Sequence, residues 1–359
     1  MLTSSPLLDL LKIERPLLQA PMAGANDGAM AIAVARAGGL GALPCAMLGA
    51  EKIREEVAKI RHGTNGPFNL NFFCHQPPEA DPDGQAVWKK HLGAYYEELG
   101  LDPAAEAPAV NRAPFDEAMC ALVEETRPAV VSFHFGLPEK SLLQRVRAAG
   151  CRVLSSATTV EEARWLEAQG CDAVIAQGSE AGGHRGMFLS ELAASQVGTM
   201  ALVPQVVDAV SVPVIAAGGI ADGRGVAAAF LLGAAGVQLG TAYLFTPQAT
   251  ISALHRQALA GFRDDGTALT NIFSGRPARG IVNRVMQEVG PLTDLAPAFP
   301  TAGGALAPLK AAAEAQGKAD FTSMWSGQAA GLGQALDARD LSRKIMDDAE
   351  SLLAKAASA

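Results

Sequence analysis

Positive charge, aromatic rings and paired cysteines are all scarce in this chain, and each shortage narrows what it can be. Lys and Arg number 29 against 37 Asp and Glu over 359 residues, a formal net charge of −8. An acidic surface repels a phosphate backbone, so nucleic-acid binding is not expected. An anionic small molecule stays possible, because local dipoles and a few cations can hold it. Five cysteines, Cys45, Cys74, Cys120, Cys151 and Cys171, include no C-x-x-C pair. Cys151 and Cys171 open apolar runs and read as small core residues, which suits a reducing, cytoplasmic compartment. No stretch of about 18 apolar residues is free of charges or breakers, and the N-terminus lacks a basic region followed by an apolar core. No membrane span or leader is therefore expected. Lysine is missing between Ser141 and Leu309, which takes weight from Schiff-base barrel enzymes. No G-x-x-x-x-G-K-[ST] loop occurs, and Gly39-Leu40-Gly41 is an incomplete dinucleotide signature because Pro44 stands where its third glycine would be.

What is abundant is apolar and small. Hydrophobic residues make up 49% of the chain although aromatics are only 5%, and the mean hydropathy is +0.16. Short apolar runs alternate with helical patterns. Strands are expected at Leu17–Ala20, Leu40–Leu43, Phe68–Phe73, Ala129–Phe133, Arg152–Ser156, Ala173–Ala176, Val214–Ala217 and Gly236–Leu239. Helices are expected at Ala29–Ala37, Glu51–Arg61, Leu142–Ala149, Val160–Ala168 and Gly225–Leu232, with another between Ser190 and Val210. Repeated strand and helix predict a parallel sheet, and eight strands by residue 240 predict closure into a (β/α)8 TIM barrel. The barrel is expected over 1–248, with a helical insertion of two stretches at 76–126. A mostly helical cap should follow over 249–330, and a terminal helix over 331–359 should pack back on the barrel. Within the cap, Ile251–Ala260 reads as a helix, Gly275–Gly280 as a turn and Pro291–Leu306 as a loop. The terminal helix spans Leu341–Ala357.

Active sites of such barrels lie at the C-terminal ends of the strands, and polar and glycine residues gather there. Gly218-Gly219 after strand seven and Gly240-Thr241 after strand eight lie where this fold commonly binds phosphate. Glycine lets backbone N–H groups approach an anion closely. Asn71 and Gln177 end two other strands and carry uncharged amides suited to the edge of a flavin ring. His184 follows Gly182-Gly183, and an imidazole suits proton transfer near neutral pH. His134 also points toward the mouth, either to substrate or as a satisfied packing histidine, and His75 is a weaker candidate. Arg185 could offer charge to an anion or simply be solvated. Glu180 reads as a loop-holding carboxylate, since Glu180, His184 and His134 form no recognised metal set. Trp325 and Gln328 could line a substrate loop, although a lone Trp usually packs.

Taken in order, Q-A-P-M-A-G (19–24), N-F-F (71–73), S-F-H-F-G-L-P (132–138), Q-G-S-E-A-G-G-H-R-G (177–186), A-A-G-G-I-A-D-G (216–223) and Q-L-G-T (238–241) resemble the nitronate monooxygenases, formerly 2-nitropropane dioxygenases. The likeness spans about residues 15–245, with a weaker echo at 274–284 and 325–328. It implies non-covalent FMN, contacted by Ala20, Pro21, Met22, Asn71, Gln177, Gly182, Gly218, Gly219, Gln238, Gly240 and Thr241. It also implies His184 as the base that takes the α-proton of a neutral nitroalkane, with His134 and Arg185 near the substrate. The partners implied are a small alkyl nitronate, such as propionate 3-nitronate, and O2, in a monomer or homodimer. An FMN-dependent NAD(P)H:quinone or enoyl-thioester reductase on the same barrel stays open. So do a flavin-free phosphosugar isomerase and a non-catalytic flavin-binding barrel.

Overall fold

The computed structural model describes residues 2–104, 112–190 and 192–358. All eight expected strands form. They are β1 (Leu17–Gln19), β2 (Gly41–Pro44), β3 (Phe68–Phe73), β4 (Val130–His134), β5 (Arg152–Ala157) and β6 (Ala173–Gln177). After a two-residue strand outside the ring, β7 (Gly183–His184), come β8 (Val214–Ala217) and β9 (Gly236–Leu239). The ring is parallel throughout, in the order β1-β9-β8-β6-β5-β4-β3-β2. Leu18 bridges Leu40, and the Gln19 N–H donates to Leu40 O at 3.0 Å, which returns β2 to β1 and closes a TIM barrel.

The alternation of side chains across each strand sorts two cores. Val131, Val153, Val174 and Ala216 face the surrounding helices. Their neighbours Val130, Leu154, Ile175 and Ile215 fill the barrel. Leu7 and Leu11 of the short helix Pro6–Leu11 join that inner cluster. A Cβ on Gly236, the first residue of β9, would lie 2.6 Å from Leu7 Cδ1, so the helix plugs the N-terminal end of the barrel. Burying one such leucine contributes about 1.5–3 kcal/mol. With that end stoppered, the opposite end is left for a ligand.

Helices begin where short polar residues cap them. Asp27 accepts from Ala29 N at 2.9 Å, Thr159 from Glu162 N at 3.1 Å, and Asp222 from Arg224 N at 2.9 Å. The terminal helix Ala338–Ser358 packs on helices Gly223–Leu231 and Gly28–Ala35. It buries Leu341, Ile345, Met346 and Ala349 along one face. A Cβ on Gly223 would come within 2.7 Å of Ala349 N, so a side chain there would push the helix away.

The segments outside the barrel depart from expectation. The cap contains strands β10 (Thr267–Thr270) and β11 (Ala278–Ile281), and β11 pairs antiparallel with both β10 and β7. The expected turn at Gly275–Gly280 is therefore half strand. The expected loop at Pro291–Leu306 ends in helix Gly303–Ala315. The insertion holds three helices, Pro82–His91, Gly93–Glu98 and Glu117–Thr126, while its residues 105–111 lie outside those described. Trp88 and Tyr96 of the insertion share a second apolar cluster with Ile272, Val285, Leu306 and Leu309. They donate to Ala302 O at 3.0 Å and Ala305 O at 2.6 Å. Two segments about 200 residues apart thus build one roof. No helix of the described residues is long and apolar enough to cross a membrane.

Candidate active site

A cavity of about 510 Å³ opens at the C-terminal ends of the strands, within the range of about 300–1,000 Å³ usual for small-molecule and cofactor sites. Ala20, Pro21, Met22, Asn71, Gln177, Gly182, Gly218, Gly219, Gln238, Gly240 and Thr241 all line it, together with His134 and His184. Residues from six strand ends are therefore brought to one wall.

The loop after β1 is held open by Asn26. Its Oδ1 accepts from Met22 N at 2.9 Å, and its Nδ2 donates to Ala42 O at 2.9 Å. Asn71 Nδ2 donates to Ser132 Oγ at 2.9 Å. After β8, Gly218 and Gly219 adopt φ of 108° and 69°, a region that side-chain-bearing residues rarely enter. The N–H groups of Gly219, Ile220 and Gly240 have no acceptor among the described residues. Thr241 Oγ1 accepts from Gly327 N at 2.8 Å, which leaves its own proton to give. Three unsatisfied N–H groups and a hydroxyl at adjacent strand tips form a cradle for an oxyanion.

Glu180 secures the neighbouring turn. Its carboxylate accepts from Thr199 N at 2.8 Å, and Gln328 N donates to Glu180 O at 3.0 Å. Gly182 fits only without a side chain, because a Cβ would lie 2.5 Å from Gly327 N. Next along the chain, β7 pairs with β11, placing His184 opposite Ala278.

The main-chain carbonyl of His184 accepts from Gln177 Nε2 at 3.0 Å and from His134 Nε2 at 3.1 Å. Only a protonated ring nitrogen can donate to a carbonyl, so His134 carries its proton on Nε2 and accepts from Ser156 Oγ through Nδ1 at 3.2 Å. Its ring borders the cavity, but both nitrogens are spent on the protein. Of the two readings of His134, this arrangement fits the satisfied histidine and not a polar contact to substrate. Gln177 is likewise committed, its Oε1 accepting from Gly186 N at 2.7 Å, so its amide chiefly holds the His184 loop. Arg185 is the clearest correction. It is fully buried, does not line the cavity, and donates to Gln177 O at 2.6 Å, to Gly178 O and to Gln196 Oε1 at 2.7 Å. In extended chain successive side chains point opposite ways. His184 faces the cavity, so Arg185 must face the loop beneath it.

The His184 imidazole is ringed by Phe73, Phe135, Phe299 and Trp325, with centroids 6.2, 6.0, 5.4 and 5.4 Å away. Trp325 therefore both packs and borders the cavity. Nε2 meets Ser274 Oγ at 2.8 Å, whereas Nδ1 has no partner among the described residues. Burial pushes His184 well below the ordinary histidine range, and Arg112, His134 and Arg276 push it further. Burial also takes His134 down to about 4. Both imidazoles are uncharged at neutral pH. His75 is buried outside this wall, packed edge-on to Phe299 at 4.7 Å.

Ser274, Arg112, Phe299 and Ser156 were not singled out from sequence. Ser274 and Phe299 arrive from the cap and Arg112 from the insertion, where no strand-end rule points to them.

Residues 4–348 match the family model for nitronate monooxygenase. The chain is 43% identical over 341 residues to a nitronate monooxygenase of Pseudomonas aeruginosa, covering 94% of this chain and 97% of that one. A solved nitroalkane oxidase from Streptomyces ansochromogenes superposes with a TM-score of 0.88 at 37% identity, covering 98% of this chain and 99% of that one. FabK from Thermotoga maritima has a TM-score of 0.74 at 26% identity, covering 99% and 98%. A family model matching residues 4–348, with a relative 43% identical over nearly the whole chain, shows that this chain belongs to the nitronate monooxygenase family.

Proposed function

We propose that this protein is an FMN-dependent nitronate monooxygenase that converts small alkyl nitronates and O2 to carbonyl compounds and nitrite. The reading rests on one observation: a cradle of unsatisfied N–H groups and a buried uncharged imidazole share a single cavity. Gly219, Ile220, Gly240 and Thr241 suit the ribityl phosphate. Ala20, Pro21 and Met22 suit one face of the ring, Asn71 and Gln238 its polar edge, and Gly182 lets the turn come close. When bound, FMN supplies acceptance of electrons from the nitronate and their delivery to O2.

The chain's own residues do the rest. His184 presents Nδ1 to the substrate. A lone pair there requires the proton on Nε2, donated to Ser274 Oγ, whose hydroxyl in turn reaches Arg276 O at 3.3 Å. In that tautomer His184 takes the α-proton of a neutral nitroalkane. A nitronate is already ionised and asks only for orientation. The phenyl rings exclude water, and the low imidazole pKa keeps the lone pair available across neutral pH.

The test is an anaerobic titration of the purified yellow protein. Propionate 3-nitronate or ethyl nitronate should bleach the flavin, whereas NADH should not. Bleaching by NADH alone would favour the reductase reading.

A further inference from the structure

A buried hydroxyl stands behind the anion cradle. Thr199 opens helix Thr199–Val207, is buried, and does not line the cavity. Its main-chain N–H is fixed by Glu180, whose two carboxylate oxygens accept at 2.9 and 2.8 Å. Its Oγ1 stands 2.9 Å from Glu180 Oε2 and 2.9 Å from Gly218 O. The one hydroxyl proton is therefore shared between them in a three-centre bond. Ala217 O is farther, at 3.4 Å, and already accepts from Gly178 N at 2.8 Å. The packing is close, since a Cβ on Gly218 would lie 3.0 Å from Thr199 Oγ1.

That contact decides where the next N–H points. Gly218 O and the Gly219 N–H belong to one planar trans peptide, so they point in opposite directions. Gly218 and Gly219 line the cavity and Thr199 does not. A carbonyl drawn to Thr199 therefore turns the Gly219 N–H toward the cavity. The turn would not hold this orientation by itself. Both residues have positive φ, 108° and 69°, and glycine has no side chain to oppose rotation of the peptide between them. A rotated peptide would present Gly218 O to the anion in place of a donor.

We propose that Thr199 is a positioning residue for the flavin phosphate: its hydroxyl latches Gly218 O and so holds the Gly219 N–H in the cradle. The proposal rests on the FMN reading above and adds a residue that acts without touching the ligand. Glu180 holds Thr199 in turn, which accounts for a carboxylate beside an anion site.

The experiment measures the Kd of the whole chain for FMN and for riboflavin, which lacks the phosphate, from flavin fluorescence as the loaded protein is diluted. Thr199→Val keeps the volume and removes the hydroxyl. Thr199→Ala removes it with no bulk to strain the helix start, and Thr199→Ser restores it. Loss of one hydrogen bond to a charged group should weaken FMN about 10- to 100-fold in Thr199→Val and Thr199→Ala, and riboflavin about twofold or less. Thr199→Ser should bind FMN within about threefold of wild type. Equal weakening of FMN and riboflavin would overturn the proposal, because Thr199 would then only support the fold. Unchanged FMN affinity in both variants would overturn it as well, as would a serine variant no better than alanine. A flavin-independent arm follows the thermal midpoint in inorganic phosphate against chloride at equal ionic strength. Phosphate should raise the midpoint in wild type and raise it less in Thr199→Val, and an equal response in both proteins would count against the latch. Should neither flavin bind, the cofactor reading fails, yet the phosphate response still reports on Thr199.

Discussion

Ser274→Ala is the most informative single change at the site. Ser274 is buried, and its hydroxyl is the partner of His184 Nε2 at 2.8 Å. Alanine removes that oxygen while leaving β7, β11 and the aromatic wall in place. The direct loss is one buried neutral hydrogen bond, about 1 kcal/mol, or roughly a factor of 5. Further loss arises because the imidazole is then free to carry its proton on Nδ1, where it cannot act as a base. The combined expectation is a fall of about 10- to 50-fold in kcat/KM for nitroethane. The nitronate of the same compound needs no proton removed, so its kcat/KM should change by about fivefold or less. The assay is oxygen uptake with each form at matched flavin content, in wild type and variant. Equal losses for nitroethane and ethyl nitronate would refute the tautomer argument, as would no loss for either.

Other consequences come from the same geometry. Arg185→Met should destabilise the protein by about 2–4 kcal/mol, because buried carbonyls of Gln177 and Gly178 lose a charged donor. The folded fraction should keep its KM for nitronates; a raised KM without loss of thermal stability would restore Arg185 to the substrate. Gly182→Ala should release flavin, since its Cβ would meet backbone of Ser326 and Gly327 at 2.6 and 2.5 Å; unchanged flavin retention in a dialysed sample would contradict this. Burial takes His75, His134 and His255 down to about 4 and also pushes His184 well below the ordinary histidine range. Below pH 6.5 the unfolded chain binds protons that the folded chain refuses, so stability is complete above about 6.5 and falls as pH drops toward 4. Unfolding free energies from urea titrations at pH 7.5 and 5 should differ by at least about 2 kcal/mol, and His134→Phe should shrink that difference. Equal values would show that these imidazoles are not held neutral.

The barrel was legible because its signal is local. Runs such as Val214–Ala217 and Gly236–Leu239 are apolar on both faces, and several of the helices between strands open on Asp or Thr caps. The cavity wall was legible for a related reason: a TIM barrel puts the C-terminal end of every strand at one mouth, so the residues just past each strand spell out the wall. The roof was not. Helix Gly303–Ala315 begins with two glycines and contains Pro308, which read locally as breakers. It forms because Trp88 and Tyr96, far away in sequence, cover it. The ladder between β7 and β11 joins only two residue pairs, too few to leave a period of two in the sequence. Arg185 was misplaced because adjacency to His184 suggests proximity to substrate, whereas extended backbone sends neighbours to opposite sides. Gln177 and His134 have the right location, but their hydrogen-bond capacity is used to aim His184 O. Arg112 and Ser274 come from the insertion and the cap; Arg112 carries no local mark of function, and Ser274 only opens the weaker echo at 274–284.

Diffraction from crystals of the yellow protein tests the central claim most directly. The account predicts phosphate oxygens within hydrogen-bond distance of Gly219, Ile220 and Gly240 N–H, with the flavin ring extending toward His184. A phosphate bound elsewhere, or a ring lying away from the His184 imidazole, would contradict it.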